Sequence, residues 1–126
     1  MHDAIPLTLA VLVSLAILVI GCFYIAAPER VLGSFGLKLP ATDPDTRAWL
    51  RLKGIRDVAS GVAVLTLMLS TDLRAVGILL LVLSIIPFGD MSNILASGGR
   101  KGTALSVHGV TCAVMLVAGI LLVHAL

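Results

Sequence analysis

Arg56 and Asp57 stand side by side inside an apolar run, Asp90 closes the stretch IPFGD, and His108 lies a few residues into another apolar run. Two carboxylates, a guanidinium and an imidazole are the side chains of acid/base chemistry. Carboxylates in unlike surroundings divide into a general base and a general acid, an imidazole relays the proton, and a guanidinium orients a carboxylate or stabilises an oxyanion. In those roles Asp57 and Asp90 transfer protons, His108 is the relay and Arg56 the electrostatic partner. Such a catalytic set suits opening an epoxide, moving a double bond, closing a ring, or oxidising an acidic C–H without a cofactor. Tyr24, Lys53, Ser60, Asn93 and Cys112 fall near the same level of the chain's helices and are expected to contact a ligand. Asp57, Asp90, Asn93 and His108 also offer oxygen and nitrogen ligands. Arg56 beside them opposes a dication, however, and H-x-x-x-H or E-x-x-H spacings do not occur. The expectation is no metal and no cofactor.

The elements that must position these groups follow from composition. Of 126 residues, 59% are hydrophobic and 13% charged, far from the roughly half apolar and quarter charged of soluble domains. A soluble domain of this size needs a polar exterior that such a composition cannot supply, so the chain is expected to be an all-α polytopic membrane protein. A helix needs about 20 apolar residues to cross hydrocarbon, and the runs 5–27, 48–69, 73–95 and 103–125 qualify. Pro28 stops the first, because proline cannot donate a backbone hydrogen bond. Asp43, Asp45 and Thr46 are placed to cap the second. A turn at 70–72 and the segment SGGRKG join the others, and residues 30–37 leave room for an amphipathic turn at the interface. The expected architecture is one domain, 1–126, an antiparallel four-transmembrane-helix bundle.

Lysines and arginines outside spans favour the cytoplasm. Arg30, Lys38, Arg47, Arg51 and Lys53 lie in or beside the first connector and Arg100 and Lys101 in the third, against Arg74 alone on the other side. Both termini are therefore expected on the outer side. In that topology Arg56 and Asp57 lie roughly 12 Å along the second helix, at 1.5 Å per residue. Asp90 stands a few residues before the cytoplasmic end of the third, and His108 a similar distance into the fourth. Each Asp, Lys or Arg at the centre of a spanning helix costs about 2.5–3.5 kcal/mol, so Arg56, Asp57 and Asp90 facing lipid would cost roughly 8–10 kcal/mol together.

Pairing must remove most of that cost, and helical spacing allows it. Lys53, Arg56, Asp57, Ser60 and Gly61 share a face, as do Asp90 and Asn93 with Pro87 one turn earlier. Ala104, His108, Thr111, Cys112 and Met115 form a third stripe, and Tyr24 or Cys22 adds to the level from the first helix. Arg56 is expected to hold Asp90, Asp57 or both through paired hydrogen bonds, while Lys53 is expected to snorkel to the interface. Pro87 and Gly89 ahead of Asp90 predict a kink, which is either merely tolerated or frees backbone carbonyls and widens a cavity beside the carboxylate. The rival reading makes the whole cluster internal glue that sets how the helices pack.

Other functions are set aside on composition. The net charge of +2 is spread through connectors without interleaved aromatics, unlike a nucleic-acid surface. Cys22 and Cys112 sit in separate apolar runs and are expected unpaired. MHDAIPL lacks the basic start of a secretory signal, and VIGC at Cys22 without that start reads as part of a retained helix. SGGRKG lacks the order of a phosphate loop.

The succession of FGL at 35–37 with Pro40 shortly after, KGIRDVASG at 53–61, IPFGD at 86–90 and His108–Gly109 resembles a family of small bacterial four-span integral membrane proteins of unknown function, DoxX-like in architecture. The resemblance covers most of the chain and implies a four-helix bundle in the bacterial inner membrane; it implies no activity. Two functions stay open: conversion of an apolar or lipid-like molecule drawn from the bilayer, or a non-catalytic ligand-binding or accessory subunit. Four helices leave little room for a translocation path, so a transporter would have to be a homo-oligomer. A cavity open sideways at the depth of Asp57 would favour the enzyme, and an occluded network the subunit.

Overall fold

The computed structural model describes residues 4–70 and 72–125, and every regular element among them is helical. Thr71, in the expected turn at 70–72, lies outside them, as do residues 1–3 of the opening MHDAIPL. α1 covers Ala4–Ala26, a segment rich in Leu, Val, Ile and Ala whose interior backbone groups pair within the helix, as hydrocarbon demands. Pro28 opens the four-residue α2, Pro28–Val31, at the first helical position, where a missing N–H is no loss. A 3₁₀ turn, Leu32–Ser34, follows. Gly36 then turns the connector with φ 104°, a left-handed conformation glycine adopts without a Cβ clash.

α3, Pro44–Ser70, starts where Asp43 accepts the Thr46 backbone N–H at 2.8 Å and the Thr46 hydroxyl at 3.0 Å, satisfying an otherwise orphaned donor. Asp72 likewise accepts the Ala75 N–H at 2.8 Å at the start of α4, Leu73–Ala96. Regular hydrogen bonding in α4 is interrupted at Ser84, and three residues on, Pro87 has no N–H to give the Leu83 carbonyl. α5, Lys101–Val123, contains a π-helical stretch, Ala104–Gly109.

α1, α4 and α5 are long and apolar enough to cross a membrane. Leu12, Val19, Ile78, Val82, Val117 and Ile120 on them are 50–58% exposed, an apolar surface rare on soluble monomers and suited to a lipid bilayer. α3 corresponds to the second expected span and is 27 residues long, but Arg47, Arg51, Lys53, Arg56 and Asp57 crowd its first half. Among the described residues, three helices rather than the expected four thus combine the length and hydropathy of a crossing segment.

α1 and α3 run antiparallel in backbone contact. A Cβ on Gly54 would lie 2.6 Å from the Gly21 carbonyl oxygen, and a Cβ on Gly61 2.7 Å from that of Ser14. α4 packs on α5, and α1 also touches α5. The core, including Ala10, Val64, Val76, Leu80, Ala118 and Leu122, joins all four long helices around the N-terminal half of α1. Towards the other end of α1 the helices part around a cavity.

Candidate functional site

The cavity has a volume of about 210 Å³ and takes its walls from α1, α3, α4, α5 and the connector after α2. Each helix contributes a stripe about three turns long: Val13 to Tyr24 on α1, Lys53 to Val64 on α3, Leu80 to Asp90 on α4 and Val107 to Met115 on α5. Because neighbouring helices run oppositely, these stripes place apolar residues at one end and ionisable ones at the other. Ser14, Val64, Leu80 and Met115, all at most 4% exposed, close the apolar end. Ile20, Phe23, Ile86 and Val107 line the cavity and are themselves exposed, so its mouth is rimmed by apolar side chains on the flank of the protein.

Two ionisable pairs occupy the polar end. Lys53 Nζ lies 2.6 Å from Asp57 Oδ2, one helical turn along α3, and Asp57 is 5% exposed. The same ammonium stands 4.8 Å from the centre of the Tyr24 ring and 5.3 Å from that of Phe35, within range of a cation–π attraction. The close approach at Gly21 and Gly54 brings these together, because it lets the α3 backbone come near enough to α1 for Lys53 to reach Tyr24. The second pair spans two helices: His108 Nδ1 lies 3.6 Å from Asp90 Oδ2. His108 Nε2 is 3.2 Å from the Phe35 carbonyl oxygen. A carbonyl only accepts, so Nε2 carries a proton and donates it, and Nδ1 is the nitrogen turned to the carboxyl group. The Phe35 and His108 rings meet edge to face at 4.8 Å.

The π-helical stretch and the connector set this geometry. A π turn inserts an extra residue into the helix and is frequent at functional positions; here it carries His108. The connector is pinned beneath α5 by the Arg100 N–H donating to the Gly36 carbonyl at 2.8 Å and by the Arg100 guanidinium donating to the Gly33 carbonyl. Those bonds hold Phe35 where its carbonyl and ring both meet His108.

Of the nine residues expected from sequence, Tyr24, Lys53, Asp57, Ser60, Asp90 and His108 line the cavity; Arg56, Asn93 and Cys112 do not. Arg56 is exposed and holds neither carboxylate. Its expected place is taken by Lys53, which turns inward instead of snorkelling. Asn93 is exposed on α4. Cys112 is buried, but its thiol points to the Ser84 carbonyl at 3.6 Å, and Thr111 faces the cavity in its stead. Cys22 is exposed. Phe35 lines the cavity and touches both Lys53 and His108, a place that the sequence does not reveal, because a connector residue has no helical period to show its direction.

An all-helical, membrane-embedded protein holding an ionisable cluster in an internal cavity is the class that fold and site define. The chain belongs to the family described as a domain of unknown function, DUF4267, whose model matches residues 14–122. That stretch begins at the closed end of the cavity and contains every ionisable residue of the cluster. Neither a curated protein nor a solved structure matches the chain.

Proposed function

We propose that the chain is a multi-pass protein of a bacterial inner membrane, with α3 as a fourth span and both termini outside in a DoxX-like arrangement, and that its cavity binds an apolar or lipid-like small molecule and converts it by acid/base chemistry. The observation that carries this reading is an apolar slot with an apolar rim whose inner end holds two ionisable pairs, Lys53–Asp57 and Asp90–His108. The ligand enters from the bilayer, its apolar body takes the place of lipid contacts, and its polar end meets the cluster.

Within the cluster the roles divide by geometry. Phe35 fixes the Nε2 proton of His108, so the mobile proton of the imidazole–carboxyl pair is the one between Nδ1 and Asp90. That pair removes a proton from the ligand and returns one to it. The 3.6 Å separation exceeds a hydrogen bond and shortens when a ligand completes the site. Lys53 keeps N–H donors beyond the one given to Asp57 and stabilises negative charge developing on a ligand oxygen. Proton removal, charge stabilisation and proton return are the steps of a double-bond isomerisation. With a strained ether as ligand, removal of a neighbouring C–H proton and delivery of one to the ring oxygen as its C–O bond breaks open an epoxide; with a polyene, donation of a proton to one double bond and loss of another after ring closure accomplish cyclisation.

Membranes containing the wild-type chain or Asp90→Asn, extracted and compared by mass spectrometry, test this. Loss of a positioned general base lowers turnover about 10²- to 10⁴-fold. A substrate–product pair should therefore shift towards substrate in the variant, which keeps the fold. Identical small-molecule pools with both proteins folded would reject conversion. One observation favours the alternative, a non-catalytic binding or accessory subunit: Lys53 and His108 also tie α1, α3, α5 and the connector together through Tyr24 and Phe35. In that case Asp90→Asn changes stability and leaves the pools alike.

A further inference from the structure

We infer that the molecule held in the cavity is a single-chain amphiphile with an uncharged, hydrogen-bonding head such as a hydroxyl; this rests on the reading that the cavity takes a lipid-like ligand, and names its class. Shape supplies the first half. The lining on α1 runs from Val13 to Tyr24, about 16 Å at 1.5 Å per residue, and a volume of about 210 Å³ spread over that length leaves width for one chain. The far end is blind, closed by Ser14, Val64, Leu80 and Met115, so the tail points there and the head stays at the ionisable end.

Charge supplies the second half. Lys53 and Asp57 neutralise each other at 2.6 Å. Asp90 and His108 carry no net charge when one proton lies between them, and one negative charge when it is absent. Arg56, the further cation that could have received an anion, is exposed and outside the lining. The cluster thus has no surplus positive charge for a carboxylate, sulfonate or phosphate head, and desolvating such a head without a partner is expensive. A quaternary ammonium head meets a different obstacle. The aromatic faces that would attract it, Tyr24 and Phe35, already flank the chain's own ammonium, Lys53 Nζ. An uncharged hydroxyl suits the site in either protonation state: it donates to an Asp90 oxygen and accepts from Lys53, and its removal from water is compensated by both bonds.

The test uses the wild-type protein in lipid nanodiscs and a photoactivatable long-chain alcohol bearing a diazirine near its head, with labelled peptides identified by mass spectrometry. Unlabelled dodecanol, dodecyl sulfonate and dodecyltrimethylammonium compete for the site. The expected result is saturable labelling of the cavity-lining peptides of α1 and α4, displaced by dodecanol at concentrations at least about tenfold below those needed for either charged analogue. Better displacement by the sulfonate or by the ammonium compound, or equal displacement by all three, overturns the uncharged head while leaving a lipid-binding cavity in place. Labelling that is unsaturable, or confined to the outer faces of the helices, overturns the cavity reading itself.

Discussion

Asp57 is 5% exposed and takes its counter-charge from one turn back on its own helix, so removing the Lys53 ammonium leaves a carboxylate with neither water nor cation around it. Breaking a buried pair from one side costs about 3–5 kcal/mol. Because the Lys53 side chain is 29% exposed, Lys53→Met is expected at the low end, about 3 kcal/mol, in unfolding measured in micelles or bicelles. Arg56→Gln, one residue from Asp57, is expected to stay within about 0.5 kcal/mol; a larger loss for Arg56→Gln than for Lys53→Met would contradict the pairing. The presence of an ionisable level was legible in the sequence, but its cation was assigned wrongly for an angular reason. Successive residues turn about 100° around a helix. Lys53, Asp57, Ser60 and Val64 therefore fall within about 60° of one another, while Arg56 lies about 60° outside Lys53 on the other flank. A face drawn from i, i+3 and i+4 spacing is wide enough to include both, and only the neighbouring helices decide where its centre points. Asn93 failed for the same reason, three residues beyond Asp90. The Cys112 expectation assumed regular α-helical spacing after His108, which the π-helical stretch interrupts.

Helix positions were the most legible level, because length, hydropathy and Pro28 constrain them strongly, and each expected span agrees with a helix to within a few residues. The approach of α1 to α3 was not, since Gly21 and Gly54 lie far apart in sequence and glycine there registers only as a missing side chain. Gly54→Ala places a methyl group 2.6 Å from the Gly21 carbonyl oxygen, forces the two backbones apart and draws Lys53 away from Tyr24. Such overpacking is expected to cost about 1–3 kcal/mol. At Gly89 a Cβ meets nothing within 4 Å, and Gly89→Ala is expected to be neutral or to stabilise α4 by up to about 1 kcal/mol. Equal effects at the two sites, by unfolding in bicelles, would remove the close crossing as a determinant of the fold. The start of α3 carries a separate, pH-dependent prediction. Hydrogen bonds from the Thr46 amide and then from its hydroxyl hold the Asp43 carboxyl below the ordinary carboxylate range. A group whose folded-state pKa is depressed contributes stability above its unfolded pKa of about 3.9 and loses it as pH falls through the folded value. Asp43→Asn keeps a capping acceptor but cannot titrate, so its stability should decline less than the wild type's as pH is lowered from 5 towards 2.

At the scale of the whole molecule, the number of crossings decides what the cavity can be. Charge in the first half of α3 makes that helix a poor span by hydropathy alone, and a three-span protein would put its two termini on opposite sides. Packing argues the other way. Gly21 meets Gly54, and seven residues further along both rods Ser14 meets Gly61, so α3 runs beside α1 for roughly 10 Å at 1.5 Å per residue. On the proposed reading, in which α1 crosses the bilayer, a helix held antiparallel to it over that distance is tilted out of the interface plane. Its charge is also less costly than its sequence implies: Lys53 and Asp57 face the cavity and each other, Arg47 meets Glu29 at 2.9 Å near the start of the helix, and Arg51 and Arg56 have long stems with which to reach the headgroups. Reporters fused to each end settle the count. Four crossings predict a C-terminal alkaline phosphatase fusion that is active and a C-terminal green fluorescent protein fusion that is dark, with the N-terminus accessible to an impermeant label from the same outer side. A fluorescent C-terminal fusion together with an externally labelled N-terminus would mean an odd number of crossings. α3 would then have to leave α1, and the wall of the cavity that carries Lys53 and Asp57 would not form.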